Sequence, residues 1–162
     1  MCSSDLQDYT PPTYRVLGIE LEFDLHANAT IVRARTQLQR VAKDPCQLVL
    51  DGRTFARERL AIDGRALEAN EFAATATTLV LHTPPATFTL EVTTRLDPAS
   101  NTALEGLYMS GGRFCTQCEA EGFRTITYAL DRPDVMTRYT VRMEADRATC
   151  PVLLSNGNPK EA

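Results

Sequence analysis

The feature that most constrains this chain is period-two alternation. Leu17, Ile19, Leu21, Phe23 and Leu25 alternate with Gly18, Glu20, Glu22 and Asp24. Successive side chains of a β-strand point to opposite faces, so such a run buries one face and wets the other. A helix would instead need its apolar residues three and four apart. The pattern returns in Val32, Ala34, Thr36 and Leu38, set against Arg33, Arg35, Gln37 and Gln39. It returns again in Phe88, Leu90, Val92, Thr94 and Leu96, and in Tyr139, Val141, Met143 and Ala145. His26-Ala27-Asn28 reads as the turn between the first two strands. Acidic outer positions on one strand and basic ones on the next suit cross-strand pairing in a hairpin.

Shorter runs extend the reading. Gln47–Leu50, Phe55–Ile62, Thr77–His82 and Pro151–Leu154 are read as further strands. Asp63-Gly64 is a hairpin-turn signal, and Asp44-Pro45, Pro84-Pro85 and Asp97-Pro98 punctuate the rest. Residues 98–113 carry Ser, Asn and Gly without periodicity and read as one long loop. Asp131-Arg132-Pro133-Asp134 reads as a helix start, with Asp131 as N-cap and Pro133 in the first turn. The expected fold class is therefore all-β: a multi-stranded, saddle-like or β-sandwich domain with one short helix near 131–138. The polar residues 1–13 are expected to form a flexible N-terminal arm, and 14–162 one β domain, an ordinary size for a single core.

Charge and cysteines bound the function. A net charge of −4 without a basic run argues against a nucleic-acid or anionic-membrane partner. No apolar stretch approaches the ~20 residues of a membrane helix. The N-terminus, Met1-Cys2-Ser3-Ser4-Asp5, is polar and acidic rather than a signal peptide, so a cytoplasmic location is expected. Five cysteines, an odd number without framework spacing, fit reduced thiols.

Few residues point to chemistry. Cys115-x-x-Cys118 lacks the second ligand pair that a structural zinc site requires, and a redox pair would need a βαβ context. Two half-buried thiols in a turn is the simpler reading. His26 and His82 fall at a turn and near a strand end, and read as surface residues. No catalytic residue and no metal ligand is expected in this chain. Gln117 and Glu119 are polar and one residue apart, so in an extended segment they share a face. A carboxylate beside an amide oxygen can hold an ammonium group. From spacing alone the same pair also reads as a solvated turn.

Longer blocks carry a resemblance. Asn101-Thr-Ala-Leu-Glu-Gly-Leu-Tyr108, Cys115-Thr-Gln-Cys-Glu-Ala-Glu-Gly-Phe-Arg124, Tyr128-Ala-Leu-Asp-Arg-Pro-Asp-Val135 and Leu153-Leu-Ser-Asn-Gly-Asn158 closely resemble the N-terminal domain of the bacterial aminopeptidase N family. These are zinc metallo-aminopeptidases of the gluzincin type, and the resemblance covers almost the whole chain. It implies a β-rich saddle over a thermolysin-like catalytic domain. It also implies that Gln117 and Glu119 grip the free α-ammonium of a peptide substrate. The partners implied are peptides with a free N-terminus and the catalytic domain of the same polypeptide. The zinc motif His-Glu-x-x-His and the Gly-x-Met-Glu-Asn motif do not occur in this sequence. The resemblance therefore implies zinc in the full-length enzyme, none in this chain, and no activity from these 162 residues alone. The alternative from another class is a non-catalytic β-sandwich interaction or scaffold module of the same family.

Overall fold

The computed structural model describes residues 9–160. Eleven strands run in chain order: β1 Tyr14–Leu25, β2 Thr30–Arg40, β3 Leu48–Asp51, β4 Ala56–Ile62, β5 Arg65–Ala66, β6 Phe72–Ala74, β7 Thr78–Leu81, β8 Thr87–Leu96, β9 Gly106–Ser110, β10 Arg113–Gln117 and β11 Tyr139–Ala145. A single 3-10 turn, Phe123–Thr125, is the only helical element among the described residues. The all-β expectation is borne out.

A six-stranded sheet, in the order β11-β1-β2-β8-β4-β5, forms the base. β1 and β2 pair antiparallel with Glu20 opposite Arg35 and Glu22 opposite Arg33, the charge complement expected of that hairpin. Arg35 lies 3.8 Å from Glu20 and 3.9 Å from Glu91 on the wet face. Exposed pairs of this kind contribute less than about 1 kcal/mol each. The Asp63-Gly64 turn has φ of 49° and 83°, the doubly positive geometry of a tight hairpin.

The inner face of this sheet carries two apolar clusters. The first joins Tyr14, Leu38, Leu60, Ile62, Phe88, Leu90 and Val92 to Leu48, Leu50, Leu79 and Leu81 of a second sheet, ordered β3-β7-β6. This half is a closed sandwich: Tyr14, Leu38 and Leu79 have no exposed surface. The second cluster holds Ile19, Leu21, Phe23, Leu25, Val32, Ala34 and Leu96. No second sheet of comparable size covers it. Leu107 of β9 and Ile126 pack on it, and the β9–β10 hairpin stands beside it.

Four expectations need correction. Leu17 does not join the inward row; it is 44% exposed, because a bulge between Val16 and Gly18 shifts the register and turns it outward. The loop expected over 98–113 instead contains β9 and the start of β10. Gly111 and Gly112, with φ of 55° and 76°, make a two-residue hairpin turn there. No helix forms near 131–138. The carboxylate of Asp131 is taken by Arg124, whose backbone N and Nε both donate to Oδ2 at 3.0 Å, so it does not cap the residues that follow it. Residues 151–154 form no strand and lie exposed.

Of the arm expected over 1–13, residues 1–8 lie outside the described part. Residues 9 and 10 are tied down: Tyr9 Oη donates to Asp134 at 2.9 Å, and Arg132 Nη2 donates to the Thr10 carbonyl at 3.0 Å.

Candidate functional site

The open half of the inner face forms a groove of about 1000 Å³. Leu21, Phe23, Leu25, Leu107 and Ile126 make its floor, and Phe123, Tyr139, Val141 and Met143 make one wall. Residues 149–156 flank it elsewhere. Gln117 and Glu119, the two candidate residues from the sequence, both border this groove. So do Cys115, Cys118 and Cys150, all free thiols.

Local chemistry explains how the segment arrives there. β10 pairs with β9 as far as Gln117, opposite Gly106. Gly106 sits at φ 66°, and a Cβ there would come within 1.9 Å of the Thr125 hydroxyl. Only glycine permits both the conformation and the approach. The chain then closes a tight turn: Gly122 N donates to the Cys118 carbonyl at 2.9 Å. A Cβ on Gly122 would meet the Gln117 carbonyl at 2.4 Å, so this close turn also requires glycine. The Thr125 hydroxyl donates to the Gly122 carbonyl at 2.7 Å and starts the 3-10 turn. Within the turn, the Glu119–Ala120 peptide bond is cis.

Extended backbone ends at Gln117, so strand alternation does not bring the candidate pair together. A hydrogen bond does: Gln117 Nε2 donates to the Glu119 carbonyl at 3.1 Å. That bond uses the amide nitrogen and leaves the amide oxygen free to accept. The Glu119 carboxylate has no ion pair and no hydrogen bond among the described residues, and it is exposed. The site therefore presents an uncompensated anion and an oriented acceptor above an apolar floor.

Residues the sequence reading passed over support this loop. Arg124, 17% exposed, donates from Nη2 to the Asp131 carbonyl at 2.8 Å and lies 3.7 Å from Asp51 Oδ2 and 3.4 Å from Glu121 Oε2. Burial works against its charge, but Asp131, Asp51 and Glu121 outweigh that and hold its pKa above the ordinary value. The Arg124 carbonyl accepts from Arg53 N at 2.9 Å, and Asp51 bridges Ala129, so the loop is anchored to the end of β3. Burial, and then Asp131, push the Cys118 thiol upward, which favours the unreactive protonated form. Burial, Asp131 and Cys118 likewise raise Tyr139, whose ring meets Phe123 edge-on at 5.7 Å.

Zinc does not fit the residues present. His26 pairs with Asp24 at 3.2 Å on an exposed turn, and His82 Nδ1 contacts the Asn70 carbonyl at 3.0 Å. Among the described residues, no group of three or more His, Cys, Asp or Glu could hold a metal ion. No helix among them is long and apolar enough to cross a membrane.

Comparison with known proteins agrees with this architecture. Residues 12–162 match the model of the peptidase M1 N-terminal domain. Aminopeptidase N of Caulobacter vibrioides is 51% identical over 155 residues, 96% of this chain and 18% of that protein. Aminopeptidase N of Escherichia coli K12 is 46% identical over 151 residues, 93% of this chain and 17% of that protein. The chain thus spans less than a fifth of the length of these relatives. Among solved structures, Legionella pneumophila aminopeptidase A in complex with aspartic acid superposes with a TM-score of 0.88 at 33% identity, over 95% of this chain and 18% of that one. An M1 zinc metallopeptidase from Deinococcus radiodurans shares the fold, with a TM-score of 0.65 at 17% identity, over 81% of this chain and 32% of that one. The resemblance read from residues 101–158 is borne out: this chain belongs to the family of peptidase M1 N-terminal domains.

Proposed function

We propose that this domain serves a zinc aminopeptidase by recognising the free α-ammonium of a peptide substrate through Gln117 and Glu119. The observation that carries the reading is the unpaired Glu119 carboxylate beside an oriented Gln117 amide, at the edge of an apolar groove. An ammonium offers three donors and one positive charge. The carboxylate supplies the countercharge, and the amide oxygen accepts one donor. A mid-chain peptide nitrogen carries no charge and at most one donor, so it would leave the Glu119 carboxylate desolvated without a countercharge. That difference makes an exopeptidase. The free carboxylate is also what separates this role from that of a purely structural module.

No cluster among the described residues suits zinc, and the metal and the hydrolytic step fall to the rest of the enzyme's polypeptide. Zinc there would activate a water for attack on the peptide carbonyl. This chain's own residues bind and orient the amine. The free thiols Cys46, Cys115, Cys118 and Cys150 suit a reducing compartment, which fits a cytoplasmic setting.

The test is Glu119→Ala in the full-length enzyme. kcat/KM for an aminoacyl-nitroanilide should fall by about a hundredfold or more while zinc content stays intact, because a charge-assisted contact is lost at the reacting end. Unchanged kinetics would remove Glu119 from the site. The 162-residue chain alone should hydrolyse none of this substrate. Chelator-sensitive turnover by the purified domain would contradict the division of labour.

A further inference from the structure

We propose that Arg124 is the positioning residue for the ammonium-recognition turn; this rests on the reading of Gln117 and Glu119 just given. Cys118 and Phe123 pack the flanks of the turn at 118–122 on the apolar cluster, and Thr94 Oγ1 donates to the Ile126 carbonyl at 2.7 Å. The turn's own bonds, Gly122 N to Cys118 O and Thr125 Oγ1 to Gly122 O, are local. Arg124 reaches further. Its backbone N and Nε both donate to Asp131 Oδ2 at 3.0 Å, and Nη2 donates to the Asp131 carbonyl at 2.8 Å. Its carbonyl accepts from Arg53 N at 2.9 Å. One residue thus ties the exit of the turn to two separate stretches of backbone.

A planar guanidinium offers several donors in fixed directions, which a lysine ammonium does not. Arg124 can therefore set orientation as well as supply charge. It also sorts the carboxylates. Glu121 lies 3.4 Å from Nη1, while Asp131 and Asp51 lie on the guanidinium's other nitrogens at 3.0 and 3.7 Å. Glu119 is the acid of this loop that Arg124 leaves unpaired. Remove the cation, and Glu121, Asp131 and Asp51 lose their common partner. The turn then has reason to move, and a second carboxylate becomes free to compete for the substrate's amine.

The experiment measures inhibition of the full-length enzyme by an amino-acid amide and by its des-amino analogue. The ratio of the two inhibition constants reads the ammonium contact, since the remaining contacts are common to both. Arg124→Met should shrink that ratio about ten- to a hundred-fold, the scale of loss from misplacing a reacting group by about 1 Å. Affinity for the des-amino analogue and zinc content should hold. Arg124→Lys should recover only part of the ratio. In a Glu119→Gln background, Arg124→Met should change the ratio no further, whereas a role in stability alone would leave the ratio unmoved in both backgrounds. If Arg124→Met does not fold, Asp131→Asn carries the same prediction with a smaller shrinkage. Should Glu119→Gln collapse the ratio while Arg124→Met and Asp131→Asn leave it within about twofold, the positioning role falls and the recognition reading stands. Should Glu119→Gln itself leave the ratio unchanged, both fall.

Discussion

The two halves of one sheet face solve the same problem differently. Around Leu38, Leu90 and Leu79 the apolar surface is sealed by the β3-β7-β6 sheet, and the largest side chains have essentially no exposure. Around Leu21, Phe23 and Leu25 the cover is a two-stranded hairpin and a 3-10 turn, and Tyr139 and Val141 remain 48% and 37% exposed. The sealed half supplies stability. The open half gives up burial and gains a groove bordered by an unpaired carboxylate.

The comparison breaks first on core truncations. Leu79→Ala in the sealed half should cost about 3 kcal/mol, since closed packing cannot collapse onto the cavity. Val141→Ala in the open half should cost well under about 1 kcal/mol, because its side chain is already partly wet. Denaturant unfolding of the domain measures both, and similar costs would erase the distinction.

The glycines sharpen it next. Gly106→Ala should cost about 2–3 kcal/mol, from positive φ and from overlap with Thr125. Gly64→Ala, at φ 83° with nothing within 4 Å, should cost about 1 kcal/mol, the conformational part alone. Equal losses would mean that the hairpin does not lean on the 3-10 turn as described.

A smaller effect of opposite sign is expected at Thr127. It is 1% exposed, and its hydroxyl has no partner among the described residues. Thr127→Val should leave stability unchanged or raise it by up to about 1 kcal/mol, since a buried unsatisfied group is removed. A clear loss would reveal a hydrogen bond at that hydroxyl.

The smallest effect lies at the edge of the sealed half. Arg65 grips Glu71 with two bonds of 2.8 and 2.7 Å, and Glu68 N adds a third donor, holding the Glu71 carboxyl down to about 2. An acid depressed on folding contributes stability that is present above its ordinary range, near 4.5, and lost as pH falls through about 2. Glu71→Gln should therefore soften the decline of stability in acid. An NMR titration of Glu71 with its midpoint near the ordinary glutamate value would dismiss the pair.

Much of the six-stranded sheet, under both halves, is legible in the sequence. Ile19 to Leu25, Val32 to Leu38 and Phe88 to Leu96 alternate, and alternation is a local property that burial on one face imposes. Leu17 broke the rule because a bulge depends on the partner strand's register, which its own sequence does not reveal. Asp131 has the composition of a helix cap, and only the fold determines that Arg124 takes its carboxylate first. The loop expected over 98–113 hid a hairpin because its turn, Gly111-Gly112, joins strands of five residues, too short for a clear period. Gln117 and Glu119 border the groove, joined by a hydrogen bond rather than by a shared strand face. Arg124 is not legible in the sequence: Asp51 lies far from it along the chain, and Asp131, seven residues on, is brought back to it only by the fold.

The central claim is that the open half recognises a positive charge. Its most direct measurement is the selectivity of the full-length enzyme, as kcat/KM, for a free aminoacyl substrate over the same substrate N-acetylated, in wild type and in Glu119→Gln. Acetylation removes the charge and leaves the side chain in place. The account predicts that the wild-type preference collapses by at least about tenfold in Glu119→Gln with zinc retained. An undiminished preference in that variant would contradict it.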